Sequence, residues 1–213
     1  MYFLAYLMKY GDNELQTKAN EMIQVCFRIL DQKQDKNTGY WGTDLNNNNL
    51  QDGCFGSSHI YLFYDYFKKE IQYPNKIVDS TILLHSTNGL INRVEGGACE
   101  DYDAIEIYYR ILKQTSYRND EIHAKIRLMK DTLDKAQNRD GGYSYRLYAG
   151  KSLFKDKKTK YKYSSWDMME TPIYHSDIWG TFFRMLTIKM VEDILSNKKD
   201  YNSYNLPGWG YFN

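Results

Sequence analysis

The sequence predicts an all-α fold built from repeated helical hairpins, and three observations predict it. Apolar residues recur at three- and four-residue steps nearly throughout, the stripe of an amphipathic helix. Strand-like alternation is absent over any useful length. Only three prolines occur, Pro74, Pro172 and Pro207, so few helices are interrupted.

The elements follow in order. The stretch to Tyr10, then Gly11-Asp12, reads as the end of a helix with a glycine stop. Leu15, Ala19, Met22, Ile23, Cys26 and Ile29 mark the next helix, and Ile60, Phe63, Tyr64 and Phe67 the one after. Residues of about 76–85 form a shorter helix. Ala104, Ile107, Tyr108 and Ile111 continue the pattern, then Ile122, Ile126, Met129, Leu133 and Ala136, and last Ile178, Phe182, Met185 and Leu186.

These helices alternate in character. A more polar set ends in Gln/Asn/Asp/Gly loops, of which Gln34–Gly42 and Gln137–Tyr143 are the clear copies. In both, the glutamine precedes a Gly-Tyr pair by the same five-residue step; a middle copy within Leu84–Gly97 is degenerate. A more aromatic set follows short motifs: Asp52-Gly53-Cys54-Phe55-Gly56, Gly96-Gly97-Ala98-Cys99-Glu100-Asp101, and Tyr174-His175-Ser176-Asp177. A repeat of roughly fifty residues, one hairpin per unit, is the economical reading. Stacked side by side, such hairpins can curve into a ring with the polar helices outside and the aromatic ones inside. The starts of the inner helices, with Cys54, Glu100, Asp101, His175 and Asp177, would then share one rim.

We expect one domain over residues 1–213: about three hairpins plus an N-terminal inner-helix stub. Three hairpins are too few to close a usual ring, which points to a partial ring, one part of an oligomer, or missing N-terminal repeats. An insertion of about 146–172 breaks the repeat and carries six lysines among tyrosines. It reads either as a solvated excursion or as a basic flap that could meet a phosphate or carboxylate.

Composition bounds the function. A 42% hydrophobic fraction suffices for a core and excludes wholesale disorder. A net charge of +1 argues against a nucleic-acid or anionic-membrane surface as the main business. No apolar run approaches the ~18 residues of a membrane span. Cys26, Cys54 and Cys99 lack a disulfide framework, and the N-terminus lacks a basic segment and a cleavage site, so a cytoplasmic protein with reduced thiols is expected. The 21 tyrosines suit a half-polar cavity as well as a core. Tyr40, Trp41, Tyr143, Tyr145, Tyr174 and Trp179 are the candidate substrate-contacting aromatics, by stacking on a sugar or facing a cation, although aromatics at helical spacing are more often core, which is the expectation for over half of the chain's pocket candidates.

The loop ends at Gln34–Trp41 and Gln137–Tyr143 resemble the repeats of squalene and hopene cyclases. The alternation of helices resembles the α/α toroid shared by terpenoid cyclases and protein prenyltransferase β subunits. That resemblance implies a partial α/α toroid with an isoprenoid-handling cavity. Asp52-Gly53-Cys54 looks like the Asp-x-Cys pair of the prenyltransferase zinc site, and His175 like its histidine, so zinc is the one cofactor implied, on Asp52, Cys54 and His175. A whole hairpin separates Cys54 from His175, whereas the family's ligand helices are neighbours. Without metal, Cys54 packs against glycines and His175 serves a helix start.

Asp101-Tyr102-Asp103-Ala104 resembles the Asp-x-Asp-Asp acid motif of hopene cyclases, with Ala104 in place of the last aspartate. It implies Asp101 and Asp103 as catalytic acids with Glu100 beside them. Acids in a first helical turn also satisfy free N–H groups and the helix dipole. Three functions stay open: a cyclase- or prenyltransferase-like enzyme acting on a small molecule, a carbohydrate-active toroid acting on a polymer, and a non-catalytic repeat scaffold.

Overall fold

The computed structural model describes residues 1–43, 49–147, 160–162, 170–172 and 175–197. Seven helices account for most of them: α1 (Tyr2–Tyr10), α2 (Asn13–Lys33), α3 (Leu50–Tyr66), α4 (Pro74–Leu83), α5 (Ala98–Ile111), α6 (Asn119–Lys135) and α7 (Ile178–Leu195). Among the described residues, strand structure is confined to one short pair. Two three-residue strands, β1 (Lys160–Lys162) and β2 (Glu170–Pro172), pair antiparallel inside the insertion, with Lys160 opposite Pro172. The rest of the lysine-rich stretch lies outside the described residues.

Local chemistry sets the helix ends. Asp12 caps α2 by accepting the Leu15 N–H at 2.9 Å, and Asp177 caps α7 by accepting the Gly180 N–H at 2.6 Å. Gly11, expected as a left-handed stop, is extended at φ −71°; its N–H closes α1 by bonding Leu7 O. Pro74 opens α4, where a missing N–H costs nothing.

α5 lies between α3 and α7. α3 and α5 run parallel: Ser58 bonds Asp103, and seven residues further along each helix Asp65 pairs with Arg110. Every residue of α5 from Ala98 to Ile111 except Cys99 is buried. α2, α4 and α6 flank this central row: Phe27 of α2 meets Tyr64 of α3 edge-on at 5.0 Å, α4 packs on α5, and α6 on α7. α1 packs on α2 and touches α3 through Tyr2 and Phe63.

Burial corrects two of the expected stripes. In α2 the inward residues are Ala19, Ile23 and Phe27, while Leu15, Met22 and Ile29 face outward. In α7 the inward set is Phe183, Arg184, Thr187, Met190, Val191 and Ile194, and Ile178, Phe182 and Met185 are exposed. An apolar stripe names a face that wants cover; it does not say which of two apolar faces gets it.

The loops before the central helices repeat with closer fidelity than the sequence suggests. In the first, Gln34 Nε2 donates to Gly39 O at 2.7 Å and the Asp35 N–H to Tyr40 O at 2.8 Å. In the third, Gln137 Nε2 donates to Gly141 O at 2.8 Å and the Asn138 N–H to Gly142 O at 2.9 Å. The degenerate middle copy is His85–Ile91: His85 Nδ1 donates to Gly89 O at 2.6 Å and the Ser86 N–H to Leu90 O at 2.7 Å. Gly39, Gly89 and Gly141 all have positive φ, at 77°, 85° and 86°, which only glycine adopts without strain. In each copy the next residue but one gives its N–H to a side chain of the following central helix: Trp41 to Ser57, Ile91 to Asp101, Tyr143 to Thr181.

Histidine thus stands in for glutamine in the middle loop. Its Nδ1–H is fixed by the Gly89 carbonyl, so Nε2 accepts from the Tyr108 hydroxyl at 3.2 Å. Burial pushes His85 down to about 4, the Gly89 bond acting against it. Between about 6.5 and about 4 the unfolded chain binds a proton that the folded chain refuses, so stability falls as pH falls across that window. His85→Gln should keep the loop, cost little at neutral pH, and be the more stable form at pH 5. Thermal melts of both proteins at pH 5 and 7.5 check this.

Candidate functional site

The starts of α5 and α7 meet on one short stretch of chain. Tyr145 accepts the Ala98 N–H through its carbonyl at 3.1 Å and gives its own N–H to Asp177 Oδ2 at 2.9 Å. Gly180 permits this approach, because a Cβ there would lie 2.5 Å from Tyr145 N. The Tyr145 hydroxyl then reaches back to α5, donating to Glu100 Oε2 at 2.6 Å and lying 2.9 Å from Cys99 Sγ. Arg146 completes the corner, ion-paired to Glu100 Oε1 at 2.8 Å and bonded to the Gly96 carbonyl.

Four carboxyl groups sit on α5: Glu100, Asp101, Asp103 and Glu106, all buried. Three have an arginine partner. Glu100 has Arg146, Asp101 has Arg184, and Glu106 has Arg110 at 2.7 Å. Asp101 and Arg184 are both fully buried. Burial raises the Asp101 carboxyl, while Arg184 and the Ile91 N–H act in the opposite sense.

Asp103 differs. Among the described residues its hydrogen-bond partner is the Ser58 hydroxyl at 2.9 Å, and no cation lies within ion-pair distance. Burial drives its carboxyl well above the usual carboxylate range, and the charges of Glu106 and Glu100 push the same way. Asp103 is therefore the one α5 carboxyl with no arginine to offset the cost of its burial, the Ser58 bond alone acting against the rise.

The loop equivalences show how unusual this is. Counting from Ser57, Asp101 and Thr181, the α5 acids at 100, 101, 103 and 106 match Gly56, Ser57, His59 and Leu62 in α3. In α7 they match Gly180, Thr181, Phe183 and Leu186. No acid stands at any of these eight positions, so the repeat itself does not require the acids of α5.

The proposed metal ligands are not brought together. Asp52 is exposed on the first turn of α3, Cys54 is fully buried, and His175 is exposed with its carbonyl accepting from Ser144. No group of three or more His, Cys, Asp or Glu that could hold a metal occurs among the described residues. Burial, reinforced by Asp103, raises the Cys54 thiol far above its ordinary value. Cys99 is likewise pushed up to about 12, mainly by burial.

The aromatic candidates are mostly core. Tyr40 is fully buried with its hydroxyl 2.6 Å from Thr81 Oγ1, and Trp41 is buried with Nε1 donating to Leu30 O at 2.8 Å. Tyr143 and Tyr145 are buried too, whereas Trp179 is 47% exposed. Tyr174 lies outside the described residues. Sequence reasoning missed Ser58 and the three arginines. Arg110, four residues after Glu106, was the available signal; Arg184 and Arg146 carry none, because their partners are distant in sequence.

The fold and this site define a class: a repeat of flanking and central helices in which one central helix alone carries a buried row of acids. Compared with protein-family models, curated proteins and solved structures, the chain matches none of them. No helix among the described residues is long and apolar enough to cross a membrane.

Proposed function

We propose that the chain is an acid catalyst of the terpenoid cyclase and prenyltransferase-like kind, with Asp103 as the proton donor to an apolar, alkene-bearing isoprenoid. The observation that carries this is the setting of Asp103: a buried carboxyl bonded to Ser58 and paired with no arginine, so that burial raises its hold on a proton. A general acid must hold its proton at the operating pH and part with it in the transition state. In this reading the proton passes from Asp103 to an alkene carbon, and the cation is quenched by losing a proton or capturing water. Glu100 and Asp101, fixed by Arg146 and Arg184, position the start of α5. The curvature of the hairpins into a partial α/α toroid, with the cavity that such a substrate needs, belongs to the same proposal. Acids absent from the equivalent positions of α3 and α7 support it, since departures from a repeat's own rule concentrate at functional sites.

Isoprenoid diphosphates should raise the melting temperature, and uronate oligosaccharides should not. With a turned-over isoprenoid, Asp103→Asn should reduce kcat by at least ~100-fold, the scale of a lost general acid. Activity should decline as pH rises through the raised value of Asp103. The variant remains folded, because an amide still accepts from Ser58. Its stability relative to the parent grows with pH, because the parent's unfolded state alone gains by ionising. Undiminished turnover in Asp103→Asn refutes the assignment.

A second reading has its own observation. Tyr40, Trp41, Tyr143 and Tyr145 are committed to core and loop contacts, as a non-catalytic helical-repeat scaffold requires. Failure of both ligand classes to shift the melting temperature would favour it over the enzyme. A shift with the uronates alone would favour the carbohydrate-active toroid.

A further inference from the structure

The repeat supplies its own template for what covers each end of the helix row. Within the chain, α4 and α6 each seat on the glycine loop of the preceding unit. Gly39 lies against Ile77 of α4, and Ser80 gives its hydroxyl to Thr38 O at 2.9 Å. Gly89 lies against Met129 of α6, and Thr132 gives its hydroxyl to Asn88 O at 2.8 Å. Ile77 and Met129 both stand eight residues before the His85 or Gln137 of their own loops, and both are fully buried.

Among the described residues, both halves of this joint occur once more without their counterpart. The third loop presents Gly141, with no described residue within 4 Å of the Cβ position. At the other end, α2 holds Cys26 eight residues before Gln34, in the register of Ile77 and Met129. Around it Met22, Val25 and Ile29 are 55%, 44% and 52% exposed. The central row shows the same mismatch. α3 packs on α5 and α5 on α7, but the far side of α7 exposes Ile178 and Met185 at 86% and 49%. The far side of α1 exposes Phe3 at 71%. Apolar surface of this extent at two opposite ends marks a pair of contact faces.

We infer that a second copy of this chain docks head to tail, its α1–α2 hairpin seating on the α7 face and third loop of the first. The occupant is a copy because the chain carries both halves of a joint that it already makes twice internally, and the two halves are not self-complementary. Where α4 and α6 carry Ser80 and Thr132, α2 carries Ile29, so the seam between copies replaces a hydroxyl bond with apolar contact. Such a contact is heterologous: it closes into a ring or extends as a filament, according to the rotation per copy. The inference stands apart from the proposed chemistry of Asp103.

Sedimentation velocity and light scattering over a concentration series test it, with two variants kept on the surface. Met22→Glu/Ile29→Glu blocks the head, and Ile178→Glu/Met185→Glu blocks the tail. Wild type should show mass rising with concentration to two or more chains. Each variant alone should be monomeric with an unchanged circular-dichroism spectrum. An equimolar mixture should form a one-to-one dimer that grows no further, since one intact head meets one intact tail. A wild type monomeric throughout overturns the inference. So does association surviving in either variant alone, which would reveal a symmetric contact, and so does a mixture that stays monomeric.

Discussion

Arg184→Met should destabilise the protein by ~3–5 kcal/mol, the scale of removing one partner from a buried ion pair. Asp101 and Arg184 are both fully buried, so the substitution strands a carboxylate where water cannot reach it. It also removes the bond from Arg184 Nη2 to the Tyr145 carbonyl at 2.9 Å, at the residue where α5 and α7 meet. Against a total stability of ~5–15 kcal/mol for a domain, this is a large fraction. Asp101→Asn should be nearly as damaging, because it leaves the guanidinium uncompensated even though the amide oxygen can still accept from Ile91. The double variant Asp101→Thr/Arg184→Met should recover much of the loss. Threonine at 101 restores the hydroxyl that Thr181 uses in the third unit and Ser57 in the first, and methionine fills the apolar volume. Urea unfolding of the three variants gives the comparison. A double variant no better than Arg184→Met would show that the pair is not coupled as its geometry requires.

That recovery rests on a correspondence only half visible in the sequence. The helical period, the alternation of polar and aromatic helices and the Gln…Gly-Tyr loop ends could be read directly, because each depends on local spacing. The middle loop could not, because His85 does with an imidazole what Gln34 and Gln137 do with an amide. The outward turn of Met22 and Ile29 was hidden for a different reason: α2 is apolar on two faces, and only the neighbouring helices decide which is covered. At the site, the acids of α5 stood out as a cluster, but their division into three arginine-paired carboxyls and one without an arginine was not legible. It depends on Arg146 and Arg184, whose partners lie more than forty residues away in the chain. The zinc trio meets the same limit of spacing. Spacing placed Asp52, Cys54 and His175 near helix starts, whereas burial set Cys54 inside and left the other two outside.

Gly89→Ala should be the other severe substitution, at ~2–5 kcal/mol, with Gly141→Ala at ~1–2 kcal/mol as its internal control. Both glycines have a left-handed backbone, at φ 85° and 86°, so both variants carry the same conformational penalty of ~1–2 kcal/mol. They differ in what the new methyl group meets. At Gly89 it would lie 2.8 Å from Lys125 O and 2.9 Å from Leu128 C, atoms of the α6 backbone that cannot rotate aside. Moving α6 away would strain the contact between Thr132 and Asn88 O and loosen the core around Met129, adding ~1–3 kcal/mol of overpacking. At Gly141 no described residue lies within 4 Å, and the conformational penalty stands alone. Denaturant midpoints of the two variants at low protein concentration isolate the docking of a flanking helix from the cost of the turn. Raising the concentration then adds a second reading. If another copy's α2 seats on the third loop, Gly141→Ala should weaken self-association while Gly89→Ala, at a joint already filled within the chain, should leave it intact wherever the protein is folded. Equal destabilisation by the two alanines at low concentration would mean that the glycines serve the turn only, and that α6 does not depend on the close approach which the repeated joint demands.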